Sequence, residues 1–190
     1  MARQFSSPRE PYTEVVCTLW YRAPEMLLGT QVYGPEVDMW SVGCLMAEFL
    51  SSEALFAGKS EADQIDKIFA LCGTPNEERW PGIEQLRFWR QFRFKKYPNR
   101  LRDKFPRSSF AGGAYLGDAG FDLLARLLEY DPKRRITADE ALQHAWFREL
   151  PAPRACDQMP AFPSINTADR TEDRRRGIVH TPKLGGGIFG

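Results

Sequence analysis

Between Arg87 and Arg107, RFWRQFRFKKYPNRLRDKFPR, nine basic residues stand against Asp103 alone, a local charge of +8 in a 190-residue chain whose total is +1. Phe88, Trp89, Phe92, Phe94, Tyr97 and Phe105 are interleaved with those charges. Cations that meet phosphates, beside rings that stack on bases, are what a single-stranded nucleic-acid groove requires. The same stretch also describes a connection whose rings turn inward while Lys and Arg stay solvated, and no nucleic-acid module signature accompanies it. A second pair of charges, Arg22 and Glu25, sits in Thr18 to Gly29, TLWYRAPEMLLG, among Trp20, Tyr21, Pro24, Met26, Leu27 and Leu28. If buried, both need partners; at a partly exposed turn they form a surface ion pair. Cys17, Cys44, Cys72 and Cys156 are far apart, with no C-x-x-C and only His144 and His180 as further soft ligands. No zinc site is expected from that spacing, and reduced thiols are the default reading.

The elements that must carry these residues are organised around Gly34 to Leu50, GPEVDMWSVGCLMAEFL, which leaves almost no polar face. A helix apolar nearly all round is a helix buried on every side. Pro35 suits its first position and Glu36 complements the positive end of its dipole. With about 16 residues, interrupted by Asp38 and Glu48, it is too short to span a bilayer. Ser60 to Cys72 reads as an amphipathic helix, capped by Ser60, stopped by Gly73 and Pro75, with Ile65, Ile68, Phe69 and Cys72 on one side. Another spans Asp118 to Tyr130 with a stripe of Phe121, Leu124, Ala125 and Leu128. A third begins at Thr137, whose spacing to Glu140 makes a capping box, and carries Leu142 and Trp146 inward. No run of alternating strands and no internal repeat occurs, so the fold class expected is mainly α.

Hydrophobic residues at 43% and charged residues at 27% suit a soluble globular domain. No secretory signal and no membrane anchor are expected. From Pro151 the composition shifts to Pro, Arg and Gly, ending in LGGGIFG, which reads as a disordered tail over 151–190. Ser7 before Pro8 and Thr181 before Pro182 are candidate phosphate acceptors, and Arg174 to Arg176 could assist nuclear import or be a solvated charge run.

TLWYRAPE followed by VDMWSVG resembles the C-terminal lobe of eukaryotic protein kinases, in which A-P-E is a signature motif. The likeness runs through Phe56, Gly58 and GTPNEERWPG to DPKRRITADEALQHAWF, about residues 1–150. In detail it is similar to the cyclin-dependent kinase family, and YTEVVCTLWYRAPEMLLG, GKSEADQIDKIFALCGTPNEERWPG and NRLRDKF are most similar to its PITSLRE-type branch.

By this resemblance, residues 1–25 are the activation segment, 26–150 a helical kinase C-lobe and 151–190 the tail. Thr13 would be the activating phosphosite, where a phosphate adds about two negative charges that call for arginine. Arg3 matches one of the arginines that receive it. Val16 and Cys17 would line the pocket selecting proline after the target Ser or Thr, with Arg22 holding their backbone. Cys17 stands where many members have Val. Thr18 would support the catalytic Asp and Lys, Glu25 would pair with Arg135, Asp38 would bond the catalytic-loop backbone, and Trp40 would be structural.

Phosphoryl transfer further needs a Gly-rich loop, a Lys paired with a helix Glu, an Asp base, an Asn and the DFG Asp that holds magnesium. No G-x-G-x-x-G precedes TLWYRAPE, where the Gly-rich loop would stand, the one match being Gly185 to Gly190 at the end of the tail; V-A-I-K, H-R-D and D-F-G are missing from these residues, and Met1 aligns just after DFG. The chain is thus expected to be a truncated lobe, without N-lobe or catalytic loop, arising from an internal initiation site or an incomplete gene model, of which the second is favoured. Such a cut leaves Asp38 and Thr18 without partners and exposes a core face, and unpaired buried polar groups cost about 1–3 kcal/mol each.

By family, the intact protein would be an ATP- and magnesium-dependent serine/threonine kinase. It would need a cyclin and a kinase that activates Thr13, and would act on Ser/Thr-Pro proteins of cell-cycle, transcription or splicing regulation, chiefly in the nucleus and also in the cytoplasm. The 190 residues alone are expected to bind neither ATP nor a metal and to be inactive. The alternatives are a non-catalytic module that binds cyclins or substrates, and nucleic-acid binding through 87–107.

Overall fold

Proline suits the first turn of a helix, where its missing N–H would be unpaired anyway; in the computed structural model Pro35 has helical dihedrals but stands one place earlier than expected, as the N-cap of α2, Glu36–Ser51. The structure describes residues 19–30, 32–91, 94–108, 114–149 and 158. The chain divides into two compact units, Met1–Pro151 and Ala152–Gly190. Almost all of the second lies outside the described residues, as do Ser7, Thr181 and Arg174 to Arg176. In the first unit, α1 is Pro24–Leu27, α3 Glu61–Cys72, α4 Leu101–Lys104, α5 Asp118–Leu127 and α6 Ala138–Leu142. Short 3-10 turns occupy Leu19–Tyr21, Ile83–Gln85, Trp89–Gln91 and Ala145–Arg148, and no strand occurs among the described residues. None of the described helices is long and apolar enough to cross a membrane.

Local signals explain where these helices begin and end. The Ser60 hydroxyl accepts from the Asp63 N–H at 3.2 Å, satisfying one of the donors left open at the start of α3. Gly73, with φ of +84°, terminates that helix. At α6 the Thr137 hydroxyl accepts from the Glu140 N–H while the Glu140 carboxylate accepts from the Thr137 N–H, a complete capping box.

Packing is less predictable than the helix ends. Trp40, Cys44 and Ala47 of α2 are buried, but the helix is not covered on every side. Val42 is 46% exposed, Leu45 43% and Phe49 84%, and Asp38 continues the same stripe at helical spacing. Apolar composition expresses a demand for burial, and which side is met depends on elements distant in sequence. The buried stripe of α5 is Gly120, Leu123, Leu124 and Leu127, with Phe121 and Ala125 only half-buried, and the helix ends at Leu127 rather than Tyr130. Leu142, expected inside, is 74% exposed. It closes a five-residue helix, and the chain turns off at His144 before another turn could bring it inward. Trp146 is half-buried against the core.

Rings fill the centre. Trp40 stacks on Phe56 at 6.1 Å and meets Tyr130 at 6.1 Å; Tyr130 meets Phe69 at 5.8 Å and Trp80 at 5.9 Å. Burial holds the Tyr130 phenol protonated, and it donates to the Gly73 carbonyl at 2.7 Å. Trp89 and Phe94 pack with Phe69, and Phe105 is buried, so the described rings of 87–107 point inward while most of the charges remain outside. That is the arrangement of a structural connection rather than of a base-stacking platform.

Cys44 and Cys72 lie in this core as free thiols. Desolvation pushes both upward from an ordinary value of 9.0, Cys72 to about 12. Both thiols therefore stay protonated at about pH 8, and the thiolate is the reactive form. Iodoacetamide followed by peptide mass mapping should therefore leave Cys44 and Cys72 unlabelled in the native protein and label both in urea. Rapid native labelling would contradict the burial. Raised values also mean that both groups stabilise the fold fully below pH 9.0 and that this contribution is lost at higher pH, for Cys72 as pH rises through about 12.

Candidate functional site

Charged side chains placed among apolar neighbours must be matched or stay wet, and Arg22 and Glu25 are both matched. Glu25 lies in the first turn of α1 and Arg135 follows the turn after α5. Arg135 Nη1 donates to Glu25 Oε1 at 2.7 Å and Nη2 to Oε2 at 3.0 Å, with side-chain exposures of 0% and 3%. The remaining guanidinium donors reach the carbonyls of Glu36 at 2.7 Å, Glu129 at 2.8 Å and Tyr130 at 3.2 Å. The cation lies 5.3 Å from the centre of the Trp40 ring. A planar fork spread over a carboxylate and three carbonyls uses all five of its N–H groups, which a lysine could not do.

Residues 19–22 are fastened from two other directions. On the α3 side, Arg22, only 6% exposed, pairs through Nη1 with Glu61 Oε1 at 2.5 Å. Gln64, fully buried, donates from Nε2 to the Trp20 carbonyl at 3.0 Å and accepts from the Gly58 N–H at 2.8 Å. The Trp20 indole closes this ring by donating to the Gly58 carbonyl at 3.0 Å. On the α2 side, Ser41 donates to the Tyr21 carbonyl at 2.9 Å and the Tyr21 phenol to Glu48 at 2.7 Å. That bond to Glu48 is the first cause holding the phenol's pKa above 10.0.

Trp40 is fully buried in the second turn of α2, whereas Asp38 is exposed in its first turn and makes no side-chain hydrogen bond or ion pair among the described residues. Arg3, Thr13, Val16, Cys17 and Thr18 lie outside the described residues. Sequence reasoning did not single out Gln64, Glu61 or Glu48. Gln64 had a signal: it is an amide on the apolar face of α3 beside Ile65 and Ile68, where only a side chain with partners belongs.

Gly58 tests the ring. A Cβ there would lie 2.4 Å from Gln64 Oε1 and 2.6 Å from the Gln64 Cα, which belongs to the helix backbone and cannot step aside alone. Gly58→Ala should cost about 1–3 kcal/mol as overpacking and speed amide exchange in peptides covering 19–22 and 58–64. Unchanged exchange in both would remove the ring as a fastening.

Chemically, these contacts hold residues 19–25 in place. No cluster of three or more His, Cys, Asp or Glu that could hold a metal occurs among them. An open cavity of about 210 Å³ lies against the buried pair, lined by Glu25, Tyr33, Glu36, Trp80, Asp131 and Lys133 with smaller neighbours.

Residues 1–147 match the family model described as the protein kinase domain. The chain is similar to cyclin-dependent kinase G-2 of Oryza sativa subsp. indica, 56% identical over 174 residues, which cover 92% of this chain and 24% of that protein. It is also similar to cyclin-dependent kinase 11B of Homo sapiens, 46% identical over 187 residues, or 98% of this chain and 22% of that protein. The chain thus spans about a quarter of the length of these curated relatives. Among solved structures, a chain of the yeast RNA Pol II CTD kinase CTDK-1 complex superposes with a TM-score of 0.73 at 39% identity, covering 80% of this chain and 49% of that one.

Proposed function

The chain belongs to the protein kinase domain family, and from that premise we propose that its residues form the helical, substrate-side lobe of a cyclin-dependent, proline-directed serine/threonine kinase. The observation that carries this reading is the fastening of residues 19–25 from three directions, by Arg135, by α3 and by α2. A loop that must present a peptide to a reacting phosphate has to be held within fractions of an ångström. On this reading Val16, Cys17 and Arg22 form the proline-selecting pocket, Thr13 is the activating phosphosite and Arg3 one of its receivers. Similarity to cyclin-dependent kinases supports a cyclin as partner, and a nuclear site of action goes with it.

The division of labour follows from what these residues contain. ATP and magnesium supply the transferred phosphoryl group and its charge neutralisation, and within the 190 residues V-A-I-K, H-R-D and D-F-G do not occur and no Gly-rich loop precedes TLWYRAPE. We assign to this lobe the holding of substrate. Asp38 and the stripe of Val42, Leu45 and Phe49 would receive the half that carries the base, with Thr18 supporting that half's catalytic Asp and Lys. The 190-residue chain given labelled ATP and a Ser-Pro peptide should show no turnover; turnover that survives removal of contaminating kinases overturns the assignment. In the whole kinase, Arg22→Ala should reduce the preference for Ser-Pro over Ser-Ala peptides, and an unchanged preference would remove Arg22 from the pocket. The exposed stripe favours a second reading as well, a non-catalytic module that sequesters cyclins or substrates. That reading requires the chain to compete with the intact kinase for a cyclin in a pull-down, and absence of competition ends it.

A further inference from the structure

The charges of 87–107 are not all engaged in holding the fold. Arg102 and Arg107 converge on Asp118, at 2.5 and 2.9 Å, and Arg87 lies over the Phe88 ring at 5.1 Å. By contrast Arg90, Lys95, Lys96 and Arg100 are exposed, and none of their side chains makes a hydrogen bond or ion pair among the described residues. Their backbone is nonetheless fixed. The Thr74 hydroxyl donates to the Lys95 carbonyl at 2.6 Å and accepts from the Tyr97 N–H at 3.0 Å. The Thr74 N–H donates to the Tyr97 carbonyl at 3.0 Å, and the Arg100 N–H to the Leu71 carbonyl at 2.7 Å. The Tyr97 phenol donates to Asp66 at 3.1 Å. At the other end, the contact of Trp89 with Phe94 at 4.9 Å brings the turn carrying Arg90 against the segment carrying Lys95.

We propose that Arg90, Lys95, Lys96 and Arg100 form a docking strip for an acidic polypeptide segment, distinct from the peptide-holding loop at residues 19–25. A single exposed ion pair is worth little, but several cations on backbone that is already ordered act together at the cost of ordering their side chains alone, and they steer an oppositely charged partner in. The orientation of the rings favours a peptide over a nucleic acid. Tyr97 is spent on Asp66, and Trp89 and Phe94 on Phe69, so the described residues offer these cations no exposed ring on which a base could stack.

Fluorescence anisotropy with the full 190-residue chain and a fluorescein-labelled oligoglutamate peptide tests the strip. Binding should be saturable and should weaken as salt screens the charges. Charge reversal by Lys95→Glu, Lys96→Glu and Arg100→Glu together should weaken it about tenfold or more. The same charge change at Lys133, Arg134 and Arg148, also exposed, should leave it within about twofold, because only the net charge has changed. Circular dichroism shows whether each variant keeps its helices; should the triple reversal unfold the chain, Lys95→Gln with Lys96→Gln replaces it and should weaken binding about threefold or more. Equal loss in the two sets of variants, or no binding by the native chain, overturns the proposal. So does tighter binding of an oligouridylate of equal charge that the strip variants abolish, which would make the strip a nucleic-acid contact.

Discussion

Arg135→Ala should lower the unfolding free energy by about 3–5 kcal/mol, the range for removing one partner of a buried ion pair. The substitution strands the Glu25 carboxylate, only 3% exposed, and frees the carbonyls of Glu36, Glu129 and Tyr130 from their donors. Glu25→Ala should cost less, since Arg135 would keep those three carbonyls and its place over the Trp40 ring. The ordering of the two variants is therefore as informative as their size. Urea unfolding of the 190-residue chain, fitted with a common m-value, measures both. A loss below about 1 kcal/mol for Arg135→Ala would place the pair among weak surface bridges, against the observed burial. Changing both residues to Met should recover part of the loss by removing the stranded charge, but not all of it, because the carbonyls stay unpaired.

Trp40→Ala should be comparably damaging, about 3–5 kcal/mol by loss of transfer energy plus the cavity left behind. Its ring touches Phe56, Tyr130 and the Arg135 cation, so the hole would open where the aromatic cluster meets the buried ion pair. Trp40→Phe should cost much less. The indole N–H has no oxygen or nitrogen acceptor and only the Cys44 thiol as a neighbour to bond, so phenylalanine gives up at most a weak bond to sulfur besides volume. Leu142→Ala serves as control: its side chain is 74% exposed, and truncation should stay within about 0.5 kcal/mol. Thermal and urea unfolding of the three variants settle the order, and a Leu142 effect as large as that of Trp40 would mean that the core is centred elsewhere.

The parts of the fold legible in the chain are those written by neighbours within a turn or two. Ser60 before Asp63, and Thr137 before Glu140, each mark a helix start because the cap and the donor it satisfies are three residues apart. The stripe of α3 was legible for the same reason, with Ile65, Ile68, Phe69 and Cys72 on one face at helical spacing. The extent of α5 was not, because Leu128 and Tyr130 are apolar enough to continue the pattern and only the backbone shows that the helix has ended. In 87–107 composition offered two fates for the same rings, and contact with Phe69, far back in the chain, selected the inward one.

By itself the sequence determined the helical character of the chain, the caps and, through TLWYRAPE, VDMWSVG and DPKRR, its kinship with kinases. Tertiary structure alone decided which side of α2 is covered, that Gln64 closes a ring with Trp20 and Gly58, and that Arg135, besides the Glu25 carboxylate the resemblance pairs it with, reaches three carbonyls. The reason is range. Capping and periodicity act over three or four residues and are recorded locally, whereas Glu25 and Arg135 are 110 residues apart and meet only when the intervening helices have packed.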